Sequence, residues 1–397
     1  MKIFKRLFSI FLSFVLIITF AACGKESLNA NDNFHAVTKL FDQVMDAGTY
    51  TELDYDGAQE ICAVNYDSWG GCTAVAKTLA NGDTIVGRNM DLTISNKCAY
   101  VMRTAVEGCY ETIQLAYTYR YYSPEYKDVL KNGISDDFYK ILPFMSDDAL
   151  NSEGLYIELN MRNAECWPDG SEKFSCKGTN PDSDTRVYMF SIPTYVATHC
   201  ATVDEALEYI ASLDVYAKEG FWDYCFLIAD ATGHYGVLEF AHNNMYWNEG
   251  QAAQANFYIN EKLQSVSEYR TGEGRYDYVM SHIDSVSNEQ EMFDLMDDVK
   301  YSQAYNYKTS KFDVRSEFVS VRPYWTNDYV LNEANSAEMN VYMELASLVF
   351  NNLSRREKQE YCVFWESTFT EVVNCNEKTI HVRFFENDDK VLDLSFD

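Results

Sequence analysis

Basic residues are scarce in this sequence: 32 lysines and arginines face 61 aspartates and glutamates, for a formal net charge of −29. No basic patch balances that excess, which excludes nucleic acid and anionic membrane surfaces as partners and leaves most of the acids as a solvated surface. No Cys-x-x-Cys pair occurs among the eleven cysteines, so neither a zinc site nor a dithiol redox motif is expected. EF-hand loops, His-Glu-x-x-His helices and phosphate-cradling glycine loops are missing too, and no metal or cofactor is implied. The six histidines (His35, His199, His234, His242, His282, His381) sit in no motif that suggests a Cys-His dyad. Internal repeats are absent.

What remains is the composition of a folded protein. Of 397 residues, 47% are hydrophobic and 15% aromatic, enough for one large domain or two ordinary ones with an ample core. Lys2, Lys5 and Arg6 precede an apolar run from Leu7 to Phe20 and then Ala21-Ala22-Cys23, an export signal too short for a spanning helix. Ending in small residues and Cys, it resembles a bacterial lipoprotein signal with Cys23 as the lipidated first residue, although Phe20 stands where Leu is usual. A plain signal cleaved nearby is the alternative. The protein is expected on the outer side of the cell membrane, attached only through lipid on Cys23. A polar tether follows, then a helical stripe over 34–45 and a strand-like run over 60–64.

The rest of the chain is organised around Gly70-Gly71-Cys72-Thr73-Ala74, Asn81-Gly82-Asp83 and Gly87-Arg88-Asn89-Met90-Asp91. Thr73 to Leu79 and Thr84 to Gly87 read as strands, and Asn-Gly between them as a tight turn. The hairpin returns Arg88 and Asp91 to Cys72. A cation beside the sulfur favours the thiolate. A cysteine at a chain terminus can use its own α-amine, with a reference pKa of about 8, as base, and a carboxylate such as Asp91 can hold that amine. No histidine is needed. If Cys72 is such a terminus, 1–22 is the signal, 23–71 is tether and propeptide, and 72–397 is the catalytic domain.

Further strands are expected over 100–106, 112–118, up to Asn160, 223–230, 235–240, 256–260, 368–374 and 379–385. Helices are expected after Thr202 with Glu205 completing a capping box, from about Tyr276 to Ile283, and over 336–352. Cys166 and Cys176 flank a polar segment that a disulfide could close, and Cys225 reads as a small buried apolar residue. Aromatic loops around Tyr121, Tyr122 and Phe144 either line an acyl pocket or belong to the core. Strands at both ends with helices between indicate α+β layering, not a parallel sheet.

The Cys72–Asp91 arrangement resembles the choloylglycine hydrolase family of N-terminal-nucleophile hydrolases, which includes bile salt hydrolases and penicillin V acylases. Mature chains of that family begin with Cys and carry Gly-Arg-Asn-x-Asp at this spacing. The resemblance spans roughly Cys72 to Asn387, where Arg383-Phe384-Phe385-Glu386-Asn387 looks like the family's last hairpin. It implies a four-layer αββα sandwich of mainly antiparallel strands and autocatalytic cleavage after Gly71. The implied activity is hydrolysis of linear, non-peptide C–N amide bonds in a small-molecule substrate through an acyl-enzyme. It also implies two oxyanion-binding amides. Asn160 follows Gly154-Leu155 in a strand one residue shorter than the family's, and Asn260 lies in a run lacking the family's flanking Thr and Pro. Arg275, in Gly274-Arg275-Tyr276, matches an Arg just before a helix. An acyltransferase using the same nucleophile is the nearest alternative, and a solute-binding surface lipoprotein without chemistry is the rival from another class. Oligomeric state is not legible, and a homo-oligomer stays open.

Overall fold

Side chains on both faces of the Cys72 segment are buried, Ala74 and Ala76 on one and Val75 on the other. Successive residues of a strand point to opposite faces, so a strand of this kind requires a packed layer on each side. The computed structural model of the protein describes residues 49–50, 53, 55, 70–92, 99–117, 142–162, 176–217, 223–264, 272–300, 302–306, 311–314, 363–384 and 391–396. Those residues supply both layers.

With elements numbered along the chain, sheet one runs β1 (Thr49–Tyr50), β4 (Ala99–Thr104), β5 (Thr112–Tyr117), β6 (Ser146–Asn151), β7 (Tyr156–Arg162), β10 (Asp223–Ala229), β11 (Tyr235–Ala241) and β12 (Asn244–Glu249). Its neighbours are antiparallel except for the two-residue pairing of β1 with β4. Sheet two runs β13 (Ala253–Gln254), β2 (Gly70–Thr78), β3 (Thr84–Leu92), β16 (Val363–Asn374), β14 (Ser302–Asn306) and β15 (Lys311–Val314). Strand β17 (Thr379–Phe384) also pairs with β16, and β18 (Leu392–Ser395) with β17. A small parallel pair, β8 (Arg186–Tyr188) and β9 (Asp214–Tyr216), stands apart.

Among the described residues, apolar cores stack these elements on both faces of each sheet. Helices α1 (Ile192–His199) and α2 (Val203–Ser212) cover the outer face of sheet one through Val196 and Ile210 against Ile157 and Phe226. The inner faces meet through Ala74, Val86 and Val373 against Leu115, Tyr156 and Leu227. Helix α3 (Glu261–Gln264) is one turn, while α4 (Glu273–His282) and α5 (Glu289–Asp298) cover the outer face of sheet two through Val279, Met292 and Met296 on Val75 and Ile85. The result is the four-layer αββα sandwich of mainly antiparallel strands.

Local sequence explains the details. The Cys72 hairpin is longer than expected, because β3 continues through Arg88–Asp91 instead of stopping at Gly87. Only Gly82 of the Asn-Gly pair uses the left-handed region, at φ 99°. Gly87 serves a different purpose: a Cβ there would lie 2.7 Å from Met292 Sδ, so the missing side chain lets α5 settle onto β3. Thr202 caps α2 through the Glu205 amide, 3.2 Å, while Glu205 reaches back one residue further than expected, to the Ala201 amide at 2.7 Å. Phe144 and Cys225 are both fully buried, and Phe144 packs in the core under α1, away from the layer that holds Cys72. The expected elements over 34–45, 60–64 and 336–352, the residues Tyr121, Tyr122 and Cys166, and the signal segment lie outside the described residues.

Candidate active site

Cys72 is the third residue of β2, opposite Met90 on β3. On the other edge β13 pairs Gln254 with Ala74, and the chain runs on from there to Asn256. The Cys72 main-chain nitrogen donates to Asn256 Oδ1 at 3.2 Å. The thiol is 2% exposed and points at the Met90 thioether, Sγ to Sδ 3.2 Å. Burial pushes this thiol up to about 12; Arg88 opposes the rise, while Asp91, Glu158 and Asp147 add to it. In the continuous chain Cys72 is therefore a protonated, shielded thiol.

A second group of residues holds the nitrogen side. Asp91 lies one residue along from Met90 and so on the opposite face of the strand, toward α4. There it pairs with Arg275 and accepts from the Ser367 hydroxyl. Arg275, in the first turn of α4 and 1% exposed, extends its other nitrogen to Asn256 Oδ1 at 2.8 Å. Asp91, Arg275 and Asn256 thus form a continuous polar chain that ends on the nitrogen of Cys72.

Arg88 shares the inner face with Cys72. It pairs with Asp148, lies 3.0 Å from Glu158 and 3.8 Å from Glu371, and donates to the Leu159 carbonyl at 2.8 Å. Tyr156 donates to Glu371 at 2.7 Å, and Gln254 donates to Glu158. All of these side chains are buried. One guanidinium can balance only one of three carboxylates in this setting, so burial favours a proton on the others. Burial raises Glu158 from 4.5 to about 7 against the pull of Arg88. Burial, with Glu371 adding to it, raises Asp148 well above the ordinary range, and burial raises Glu371.

These shifts fix the sign of a pH effect. Between 4.5 and about 7 the folded state holds a proton on Glu158 that the unfolded chain has lost. This group's contribution to stability is accordingly largest below that window and is lost as pH rises through it, roughly 3 kcal/mol in all. Urea unfolding of wild type and Glu158→Gln at either end of the window tests this. The variant should lose most of the difference, and an unchanged slope would show that Glu158 titrates normally.

Asn160 completes the inner face. It lies cross-strand from Cys225, which packs against Ala255 and Phe257 beside Asn256. Its side-chain amide is buried, and neither its oxygen nor its nitrogen has a hydrogen-bond partner among the described residues. A fully buried amide left unbonded costs about 1–3 kcal/mol, which marks it as a group awaiting a partner.

Cys72, Arg88, Asp91 and Arg275 are thus gathered on or around the β2–β3 pair, and Asn160 lies on the facing strand β7, next to the Leu159 carbonyl that accepts from Arg88. Asn260 is not, which corrects one expectation. Its Nδ2 donates to Asn248 Oδ1 at 2.8 Å, and its own Oδ1 accepts from the Lys262 amide at 3.0 Å, starting α3. It is a helix-cap residue, a common use of Asn. The expected strand over 256–260 is likewise displaced to Ala253–Gln254, and the asparagine at Cys72 is Asn256. Asn260→Ala should cost about 1 kcal/mol of stability and leave any Cys72 chemistry intact, whereas Asn256→Ala should impair that chemistry. Arg275 also differs in detail, lying inside its helix and not before it.

No protein-family model matches the chain, and no curated protein matches it. Among solved structures, a mutant of the conjugated bile acid hydrolase from Clostridium perfringens aligns over 82% of this chain and 92% of its own, with 11% identity and a TM-score of 0.41. A second variant of that hydrolase aligns over the same shares with 11% identity and a TM-score of 0.40. Penicillin V acylase from Agrobacterium tumefaciens aligns over 82% of this chain and 86% of its own, with 12% identity and a TM-score of 0.40.

Proposed function

We propose that this protein is an exported cysteine amidase that cuts linear, non-peptide C–N amide bonds, with Cys72 as its N-terminal nucleophile after cleavage at Gly71–Cys72. One observation carries this reading: the polar chain Asp91–Arg275–Asn256 terminates on the nitrogen of Cys72, and no histidine is needed for the chemistry. Catalytic sites arrange their polar groups on the atom that must move a proton. Here that atom is the nitrogen.

Cleavage converts an amide with no basicity into an amine with a reference pKa of about 8, able to take the thiol proton. The positive charge then formed beside the sulfur, together with Arg88, offsets the burial that keeps the thiol protonated in the continuous chain. Thiolate attack on the substrate carbonyl forms a C–S bond and an oxyanion. The unsatisfied Nδ2 of Asn160 is the donor suited to that oxyanion. Collapse expels the amine, which takes back the proton from the Cys72 nitrogen, and water then hydrolyses the thioester. Bile acid amides and acyl amides such as phenoxyacetyl amides are the substrates to try first. The signal segment supports export, with lipid on Cys23 as the anchor.

Asn160→Ala should lower kcat by roughly 10²–10³ with little change in KM, as removal of one oxyanion donor does. Because the amide satisfies nothing in the fold, the same variant should unfold no earlier than wild type. A large stability loss with normal kcat would make Asn160 structural. The reading as a whole is tested by intact mass and terminal sequencing of protein from an exporting host, alongside hydrolysis of an amide panel. A chain starting at Cys72 with amidase activity is expected. An uncut chain with no more reactivity at Cys72 than at the other thiols would sink the proposal.

A further inference from the structure

Residues upstream of Gly71 are built into the sandwich they precede. Thr49 and Tyr50 form an edge strand of sheet one, paired with Arg103 and Thr104. Leu53 is 8% exposed and belongs to the core under α1 and α2. Tyr55 sets its ring edge-on to Phe144, centroids 5.0 Å apart, and to Tyr195, 5.2 Å apart. Its hydroxyl faces Thr198 and Cys109. Every one of these partners lies downstream of Cys72.

We propose that cleavage at Gly71–Cys72 does not free the upstream segment: residues 49–55 stay seated on sheet one, and the processed protein is a two-chain complex. The inference rests on the cleavage put forward above. None of the contacts made by Thr49, Tyr50, Leu53 or Tyr55 uses the Gly71–Cys72 bond, and all exist in the uncut chain, so the segment is already docked when the bond breaks. The contacts are a strand pairing, an aliphatic side chain in a core and an aromatic cluster. Such contacts depend little on ionic strength and yield to urea. An anchor attached to the upstream chain would accordingly hold the downstream chain to the membrane without a covalent link.

The experiment uses the full chain, purified in detergent after export and run on native size exclusion in high salt and then in urea. Two polypeptides on a denaturing gel, co-eluting one to one in high salt and separating in urea, are expected. Native fractions holding only the chain that starts at Cys72 would overturn the proposal. A single uncut polypeptide would count against the cleavage and not against the docking. A recognition sequence for a site-specific protease, inserted between residues 56 and 69, then makes the cut and the same co-elution is scored. Leu53→Asp combined with Tyr55→Ala should release the upstream chain in native buffer while the downstream chain keeps its far-UV spectrum. Retention equal to wild type would also overturn the docking.

Discussion

Cys72→Ala should remove amide hydrolysis almost entirely, by roughly four to six orders of magnitude in kcat, because losing the nucleophile costs about as much as losing the whole catalytic group. The same change should stop the chain from being cut after Gly71. It should leave the fold intact, since the small thiol packs against Met90 in a layer also held by Ala74, Val86 and Leu115. Cys72→Ser is the more informative partner. A hydroxyl ionises far less readily than a thiol, so processing should slow to a rate that can be followed by mass, and any processed chain should turn over poorly. Full hydrolysis by the alanine variant would end the case for Cys72.

Arg88→Leu should produce the largest loss of stability of any single change at the site. It would leave Asp148, Glu158 and Glu371 buried together with no cation, and breaking such a pair costs about 3–5 kcal/mol. The loss should be smaller in acid, where all three carboxyls hold protons, and greatest above the window in which Glu158 titrates. Arg88→Lys should recover only part of it. A single ammonium cannot span Asp148, Glu158 and the Leu159 carbonyl, which the planar guanidinium engages together. Equal urea midpoints for wild type and Arg88→Leu near pH 7.5 would show that the acids are neutral there without help. The network could then be assigned no role in seating Arg88.

The first motif was legible because its chemistry is local. Cys72, Arg88 and Asp91 are brought together by one hairpin whose turn is written in Asn81-Gly82, and in-register pairing does the rest. Asn160 was reachable for a similar reason, as a residue of a strand that starts at a glycine turn, although β7 runs on past it to Arg162. The nitrogen-side asparagine was not. Asn260 and Asn256 are four residues apart in one irregular stretch, and the choice between them depends on where β13 pairs with β2, a contact nearly two hundred residues distant in sequence. Nothing in Gln254-Ala255-Asn256 marks that pairing locally. The acids around Arg88 were invisible for the same cause: Asp148, Glu158 and Glu371 come from three strands of two sheets and look like ordinary members of an acidic chain. Their burial is a tertiary fact. The order of strands and helices indicated α+β layering and the family resemblance implied the four layers, while the lengths of β3 and β16 exceeded expectation because neighbouring strands extended the pairing.

The position of Gly70 and Gly71 has a consequence for when such an enzyme could come alive. Both glycines are paired, with Leu92 and Asp91, so the bond after Gly71 lies inside a sheet and not on a loop tip where an outside protease would find it. Asn256 bonds the Cys72 nitrogen and Arg275 ties Asn256 to Asp91; Asp91 comes from the same hairpin as Cys72, but Asn256 and Arg275 come from far along the chain, and the three converge only once β13 and α4 are in place. A chain stalled partway would keep its nucleophile capped. Activation would then act as an inspection step, in which assembly of the molecule is itself the licence to work and no separate activating partner is required.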